Sequence, residues 1–571
     1  MISSCKNLFV LFLTACLLCV DTRNGLSFHC ITAPILTAFL LSWLTSLLPT
    51  FIRPVIQLVV GECFVALCIV DCYCQIYFGT PITTHVLTNI LLSDVRETKE
   101  FILAFVSLNN IVTKWRIAVL LLLALLYPII FFLKYKLPVP KSRKLRLVGV
   151  IVLVLCAIYE VLPTYRYIQV FLQKQNMEKM EGLIFRHYHE EIPTPLHRMV
   201  FACYATSQSS HALKRIRRST FTAEIDRCSF KSPHMVLIIG ESYNKHHSSL
   251  YGYHLPTAPL QQERNDKDEL FLFTDVVSPW NITSNVFLDI FSLWENGSTE
   301  DLPEYPLFPM LFRRAGYSVS FFTNQYQLKG FRKGSTNQAG HFFLADLELS
   351  DSLFSYRNQR SSKYDMGLVN QIKSYRQDVK PADYTLDIVH LIGQHFDYSM
   401  RYPDSLTWFS INDYSERNLE NDAKEIIMHY DNATRYNDMI LDSILTMYEK
   451  EDAIVIFVSD HGEEVYDDLP VHGRLFQEPT LAQVRQEYEV PMWIWCSEKY
   501  RFLHPDILDG IMKAQNKPFL TDGLPQILLD LSGIECRWTD EKRNPLCFEY
   551  YCKPRVVGGS VDYDLLQNKI R

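Results

Sequence analysis

Nearly every long apolar run in this chain falls before residue 165, and the remainder has the mixed charge of a water-facing domain. That split constrains the fold more than any motif, because about 20 apolar residues are enough to cross a bilayer as a helix. Five segments come near that length: 5–22, 31–51, 55–78, 117–134 and 145–163. The first ends in no small-x-small cleavage site and is succeeded by further spans, so it reads as a retained helix. The most basic short loop, with Lys134, Lys136, Lys141, Arg143, Lys144 and Arg146, lies between the fourth and fifth segments. Such loops stay on the cytoplasmic side, and Lys6 and Arg53 fall on the same side by count. An odd number of spans then sends everything after residue 165 outside. The net charge of -7 over 571 residues, with no Lys/Arg-rich tract, excludes a nucleic-acid surface.

The chain thus divides into three regions: a five-span part at 1–165, a connector at 166–230, and a soluble domain at 231–571. The loop 79–116 is expected outside, and its Asn89, Ser93 and Glu97, at i, i+4 and i+8, would share one helix face. Residues 164–190 mix aromatic, aliphatic and charged side chains, as a helix lying along a membrane surface does. Nine of the fifteen cysteines sit before residue 160, where they serve as small apolar residues. Outside the cytoplasm the even remainder, Cys203, Cys228, Cys496, Cys536, Cys547 and Cys552, permits disulfides without fixing the pairing. A local bridge among Cys536, Cys547 and Cys552 is expected, and the lack of CxxC spacing argues against zinc there.

In the soluble part the run Met235-Val236-Leu237-Ile238-Ile239 stops at Gly240-Glu241-Ser242, and Ala453 to Val458 stops at Ser459-Asp460-His461-Gly462. Short aliphatic runs of this kind are strands buried on both faces, as in the middle of a parallel sheet. Further strands are expected at 270–274, 318–323, 384–392 and 490–496, and helices at 283–294, 307–315 and within 413–449. Alternation of this kind predicts a mostly parallel α/β sandwich.

Open α/β sheets bind ligands beyond the carboxyl ends of their strands. Asp460 and His461 offer one oxygen and one nitrogen ligand, a set suited to zinc or manganese. A plain turn in which Gly462 supplies a positive φ is the alternative for that tetrapeptide. Glu241 favours the metal, since a carboxylate buried at a strand end needs a positive partner. His390 and His395 flank another strand end, and His472 comes later in an acidic loop. Thr283 and Ser284 open a helix, where an anion is favoured and where a plain cap is the ordinary role. A metal-bound hydroxyl loses its proton easily, which would make Thr283 a nucleophile.

The chain resembles the membrane-bound phosphoethanolamine transferases of the alkaline phosphatase and sulfatase superfamily. The matching stretches are Ile239-Gly240-Glu241-Ser242 with Ser249-Leu250-Tyr251-Gly252-Tyr253, the segment around Thr283, and Thr323-Asn324-Gln325 with Lys329. They continue through His390-Leu391-Ile392-Gly393-Gln394-His395, Val458-Ser459-Asp460-His461-Gly462-Glu463 and His472-Gly473. The resemblance implies a five-helix transmembrane bundle joined to a periplasmic α/β domain of alkaline phosphatase/sulfatase type, in a bacterial inner membrane. It implies zinc on Glu241, Thr283, Asp460 and His461, with room for a second ion, and Thr283 as nucleophile towards phosphatidylethanolamine. Lys329, His390, His395 and His472 match positions that touch the phosphoryl group, bind a second metal or act as acid and base. Asn324 and the stripe Asn89, Ser93 and Glu97 match substrate-binding positions. The acceptor would be a lipopolysaccharide or lipid A group or another envelope glycan, with the protein a monomer.

One departure is informative. Pro279-Trp280-Asn281-Ile282-Thr283-Ser284-Asn285 has no cysteine beside the nucleophile, where relatives acting on lipid A carry a disulfide. That shifts the expected acceptor towards a core sugar and keeps Ser284 as a second candidate nucleophile. Rival readings are a sulfatase or phosphoglycerol transferase of the same fold, or a non-catalytic membrane-anchored glycan-binding protein. A sulfatase needs Cys/Ser-x-Pro-x-Arg, absent from 278–290, and a relict site would have lost Glu241, Asp460 or His461.

Overall fold

The computed structural model describes residues 5–20, 28–77, 81–82, 87, 114–133, 142–172, 194–325, 343–380, 382–475 and 479–568. It divides into two compact units, Met1–Ser209 with Leu475–Glu478, and Ser210–Arg474 with Pro479–Arg571. Asn89, Ser93, Glu97 and Lys329 lie outside the described residues.

The first unit holds helices where the apolar runs predict them: α1 (Cys5–Leu18), α2 (His29–Ser46), α3 (Arg53–Tyr77), α4 (Trp115–Phe132) and α5 (Arg143–Tyr159). By length and composition α2, α3 and α4 can each cross a membrane, and α5 qualifies when joined to its bent continuation. The continuation is α6 (Val161–Leu172), and α1 is apolar but shorter. Cys16, Cys19, Cys68 and Cys72 sit in the bundle core with Phe12, Phe64 and Tyr127, as small apolar residues do. Gly61 is required there, since a Cβ on it would lie 2.5 Å from the Tyr127 ring. Leu125, Phe132 and Leu155 are exposed, as apolar side chains on a lipid-facing surface would be. An ion pair is buried in this unit, Arg198 Nη1 to Asp71 Oδ2 at 2.5 Å.

The second unit is built on a seven-stranded sheet. In chain order its strands are β1 (His234–Gly240), β2 (Leu270–Phe273), β3 (Ser318–Thr323), β4 (Tyr356–Arg357), β5 (Thr385–His390), β6 (Ala453–Ser459) and β7 (Met492–Cys496). Their spatial order is β2-β7-β6-β1-β5-β3-β4. β1 pairs parallel with both β5 and β6, which makes it central, and Met235 to Gly240 are all buried. β7 runs antiparallel to β6 and β2. The expected strand at 384–392 is shorter, because the chain leaves the sheet at His390 to reach the crevice.

The expected helix at 283–294 is α7 (Thr283–Phe291), and the helical region 413–449 is α8 (Asn421–Thr446) after a 3-10 turn at Ile411–Tyr414. α8 lays Ile440, Leu441, Ile444 and Leu445 against the sheet residues Val236, Ile238 and Val455. The expected bridge among Cys536, Cys547 and Cys552 does not form. Each sulfur has a local polar partner instead: Thr539, Asn544 Nδ2 at 3.2 Å, and the Lys553 carbonyl at 3.3 Å. Cys203, Cys228 and Cys496 are free as well.

Candidate active site

Three parallel strands end side by side, and their continuations are laced together. Asp460 N donates to Gly240 O at 3.0 Å, Gln394 N to Glu241 O at 3.0 Å, and Ser242 N to Asp460 Oδ1 at 3.1 Å. Two glycines permit this closeness. A Cβ at Gly393 would lie 2.8 Å from Glu241 O, and one at Gly462 would lie 2.2 Å from Gln486 O. The positive φ that the plain-turn alternative would give Gly462 is not its reason, and Gly393 carries one (44°) instead. Gly462 is needed because its backbone presses on the helix Leu481–Glu487, donating to Glu487 O at 2.8 Å.

The crevice gathers Glu241, Asp460 and His461, whose ligand-type atoms all lie within 4.8 Å of one another. All three are fully buried. His461 Nε2 is 3.4 Å from Glu241 Oε1 and 3.2 Å from Asp460 Oδ2. Its Nδ1 lies 2.8 Å from the Gly462 carbonyl, which can only accept, so Nδ1 carries a proton and Nε2 is the atom turned to the carboxylates; burial opposes charge on the ring, but Asp460 and Glu241 raise it above its ordinary value. The Thr283 hydroxyl donates to Glu241 Oε2 at 3.1 Å and lies 3.3 Å from His461 Nε2. Thr283 is the first residue of α7, and Ile282 caps the helix without a side-chain bond. The threonine therefore faces the crevice, while Ser284 Oγ turns to its neighbour Asn285.

This centre is electrostatically incomplete. Asp460 Oδ2 is buried and accepts no hydrogen bond among the described residues. Burial, then the charge of Glu241, pushes Asp460 up to about 7. Burial works against Glu241 too, but the imidazoles of His390 and His461 hold it well below the ordinary carboxylate range. Two carboxylates, an imidazole nitrogen and a hydroxyl around one buried point are donors of the kinds that could hold zinc, and a divalent cation would supply the missing charge.

The remaining expected residues separate. His390 is buried with Nε2 3.9 Å from Glu241 Oε2 and its ring edge-on to Phe287. Burial lowers His395 to about 4, and its Nδ1 donates to Phe396 O at 2.8 Å, so it is neutral with a lone pair on Nε2. His472, likewise lowered to about 4 by burial, stands against Tyr466 and Tyr398 rather than among the three ligands. The Asn324 amide is taken up by Asp365 at 2.9 Å and the Ser362 N–H at 2.6 Å, which ties the scaffold together. Its neighbour Gln325 is the residue that reaches the centre, donating to Glu241 Oε2 at 2.8 Å. Arg474 reaches it too and carried no separate signal in the sequence, apart from its place directly after His472-Gly473.

A family model described as Sulfatase matches residues 233–528, slightly more than half of the chain. The chain belongs to the sulfatase family. The matched span opens at β1, runs through all seven strands and takes in Glu241, Thr283, Asp460 and His461.

Among curated members, the phosphoethanolamine transferase EptC of Escherichia coli O18:K1:H7 is 29% identical over 345 residues. That alignment takes in 58% of this chain and 57% of the relative, so the chain spans little more than half the length of the curated relative it matches. The phosphoethanolamine transferase EptA of Helicobacter pylori is 29% identical over 291 residues, half of this chain. A crystal structure of the periplasmic domain of Escherichia coli EptC in complex with zinc is 25% identical and covers 60% of this chain and 96% of its own, at TM-score 0.52. The integral membrane phosphoethanolamine transferase EptA of Neisseria meningitidis, at 19% identity, covers 95% of this chain and 98% of its own at TM-score 0.61. It therefore shares the fold in both parts.

Proposed function

We propose that this sulfatase-family protein is a zinc-dependent phosphoethanolamine transferase, anchored by five spans within residues 1–165 in a bacterial inner membrane. In this reading residues 166–230 connect the anchor to a periplasmic catalytic domain at 231–571. The observation that carries it is the Thr283 hydroxyl held between Glu241 Oε2 and His461 Nε2, beside Asp460. Sulfate-ester chemistry is not favoured, since the nucleophile position carries threonine with no Cys/Ser-x-Pro-x-Arg segment.

Glu241, Thr283, Asp460 and His461 would hold one zinc ion, with a second as a further possibility of the same crevice. Zinc bound there supplies Lewis acidity that lowers the pKa of the threonine hydroxyl. Thr283 Oγ forms a bond to the phosphorus of phosphatidylethanolamine while the bond to the diacylglycerol oxygen breaks. The threonine proton passes to a neutral histidine of the crevice, with His395 and His472 as the candidates, and on to the leaving oxygen, which departs as a hydroxyl. In the second displacement the acceptor hydroxyl gives its proton to the same histidine, its oxygen bonds to phosphorus, and the Thr283 oxygen is released and reprotonated. His472, Lys329 and His390 assist as acid/base or phosphoryl contacts, and Asn89, Ser93, Glu97 and Asn324 border the substrate. Phosphoryl transfer needs little beyond positioning and charge, which this centre offers. The acceptor is a lipopolysaccharide or other envelope glycan group, and the enzyme acts as a monomer.

The test uses detergent-solubilised full-length protein with labelled phosphatidylethanolamine. Diacylglycerol should be released and a phosphoethanolamine adduct should appear on the peptide bearing Thr283. Thr283→Ala should lose at least about a thousandfold in rate. Turnover surviving in Thr283→Ala, or an adduct on Ser284, would overturn the nucleophile, and no release by zinc-loaded wild type would overturn the activity.

A further inference from the structure

The centre holds a cation that phosphoryl transfer by Thr283 and a neutral histidine leaves unused. Arg474 comes directly after the short strand His472–Gly473, which pairs antiparallel with Glu464–Val465 just beyond His461. Gly473 takes φ 94°, and Arg474 then turns back into the crevice. Its Nη1 donates to His461 Nε2 at 2.8 Å and to the Asn281 carbonyl, two residues before the nucleophile, at 3.3 Å. Its Nε lies 3.5 Å from Glu463 Oε2, while Tyr398 donates to the other oxygen of Glu463 at 2.9 Å. The side chain is 16% exposed, and no acceptor is assigned to Nη2 among the described residues.

Two features give this arginine a task. Arg474 Nη1 and Thr283 Oγ1 both approach one atom, His461 Nε2, so a phosphoryl group under attack by Thr283 comes to lie beside the guanidinium. A phosphodiester is an anion, and the crevice already holds the carboxylates of Glu241, Asp460 and Glu463. Its approach needs a fixed cation with paired donors, which a guanidinium provides and an ammonium does not. Furthermore, Nη1 occupies the Nε2 lone pair that a zinc ion requires, so the two compete for that atom.

Resting on the phosphoryl-transfer reading, we propose that Arg474 is a phosphoryl-binding residue, which yields His461 Nε2 to the metal and takes the non-bridging oxygens of the phosphodiester. Its fork neutralises the charge that three buried carboxylates would repel, and the Asn281 carbonyl and Glu463 keep it aimed.

The experiment measures zinc binding to metal-stripped full-length protein and inorganic phosphate binding to the zinc-loaded form, both by calorimetry. Arg474→Met should bind zinc as tightly as wild type or up to about tenfold more tightly, because a competitor for Nε2 is gone. Its phosphate affinity should fall at least about tenfold, and Arg474→Lys should restore only part of it. Unchanged phosphate affinity in Arg474→Met overturns the proposal. So does loss of zinc binding, which would make the arginine a support for the ligand set. Should Arg474→Met fail to fold, Arg474→Lys decides, and phosphate affinity within about twofold of wild type overturns the fork. Phosphate binding does not depend on the donor lipid. A failure to release diacylglycerol therefore counts against the transfer reading while this measurement still reads on Arg474.

Discussion

Two of the groups of charged side chains buried in the second unit are finished to different degrees. In the first, His247 is held between Asp431 Oδ1 at 2.6 Å and Asp467 Oδ2 at 2.8 Å. Tyr253 and Tyr414 donate to the other oxygen of Asp431, and Arg417 pairs with Asp467 at 3.0 Å. An imidazolium and a guanidinium balance two carboxylates, and every oxygen has a donor. In the second, Glu241, Asp460 and Glu463 share one imidazole and the single guanidinium of Arg474, and Asp460 Oδ2 accepts nothing among the described residues. The first group is complete as protein and therefore holds the fold. The second is not balanced by its own side chains, and because burying charge short of a partner is costly, it suits the metal proposed above.

The largest expected effect breaks the finished group. His247→Ala leaves Asp431 and Asp467 facing each other in the interior and should cost about 3–5 kcal/mol in denaturant unfolding. A pH series sharpens this. Burial opposes the charge on His247, but the two carboxylates outweigh it and raise the ring to about 10, against about 6.5 unfolded. Its contribution is thus fully present below 6.5 and lost as pH rises through about 10. The gap between wild type and His247→Gln should shrink over that window, and a gap constant from pH 6 to 10 would mean that the ring is neutral in the fold.

The finished and unfinished groups were not equally legible in the sequence. β1 and β6 could be read because they are unbroken aliphatic runs, and their ends pointed at Glu241, Asp460 and His461 without any structure. The mostly parallel sheet was legible from the alternation of strands and helices, but the direction of a single strand was not, and β7 turned out antiparallel. β4 is two residues long and carries no pattern. His247 was passed over because its partners Asp431 and Asp467 are remote in sequence and belong to α8 and the loop after β6. Arg474 was missed for a related reason. It looks like one charge in an acidic loop until the hairpin formed by Glu464–Val465 and His472–Gly473 folds it back onto His461. The free cysteines at 536, 547 and 552 show the limit of spacing as evidence, because nearness in sequence did not bring the sulfurs together.

A smaller effect completes the second group. With free zinc held at a hundredfold over its dissociation constant, the full-length protein should gain about 2.7 kcal/mol relative to the metal-stripped form. His247→Gln should keep that gain while starting from a lower baseline, because its cluster does not touch the ligands. Asp460→Asn should lose most of the gain. Equal zinc stabilisation in wild type and Asp460→Asn would remove Asp460 from the ligand set.

The smallest effect concerns what the carboxylate does when no metal balances it. Asp460 sits near 7 in the fold, above the usual range of about 3.9, so ionising it opposes folding. For such a group the folded form binds its proton more tightly, and stability falls as pH rises from about 4 to 7. Metal-stripped Asp460→Asn escapes this penalty. An asparagine oxygen can still accept from Ser242 N and His461 N, the two bonds that Oδ1 makes now. The variant should therefore be more stable than metal-stripped wild type at pH 8, by about 1 kcal/mol once lost packing and relaxation are allowed for, and the advantage should vanish near pH 4. The same substitution thus stabilises the stripped protein and abolishes its response to zinc. That opposition of sign is what separates a ligand from a structural carboxylate, since Asp431→Asn should lower stability at neutral pH with or without the metal. If Asp460→Asn behaves as Asp431→Asn does, the two groups are of one kind and Asp460 serves the fold alone.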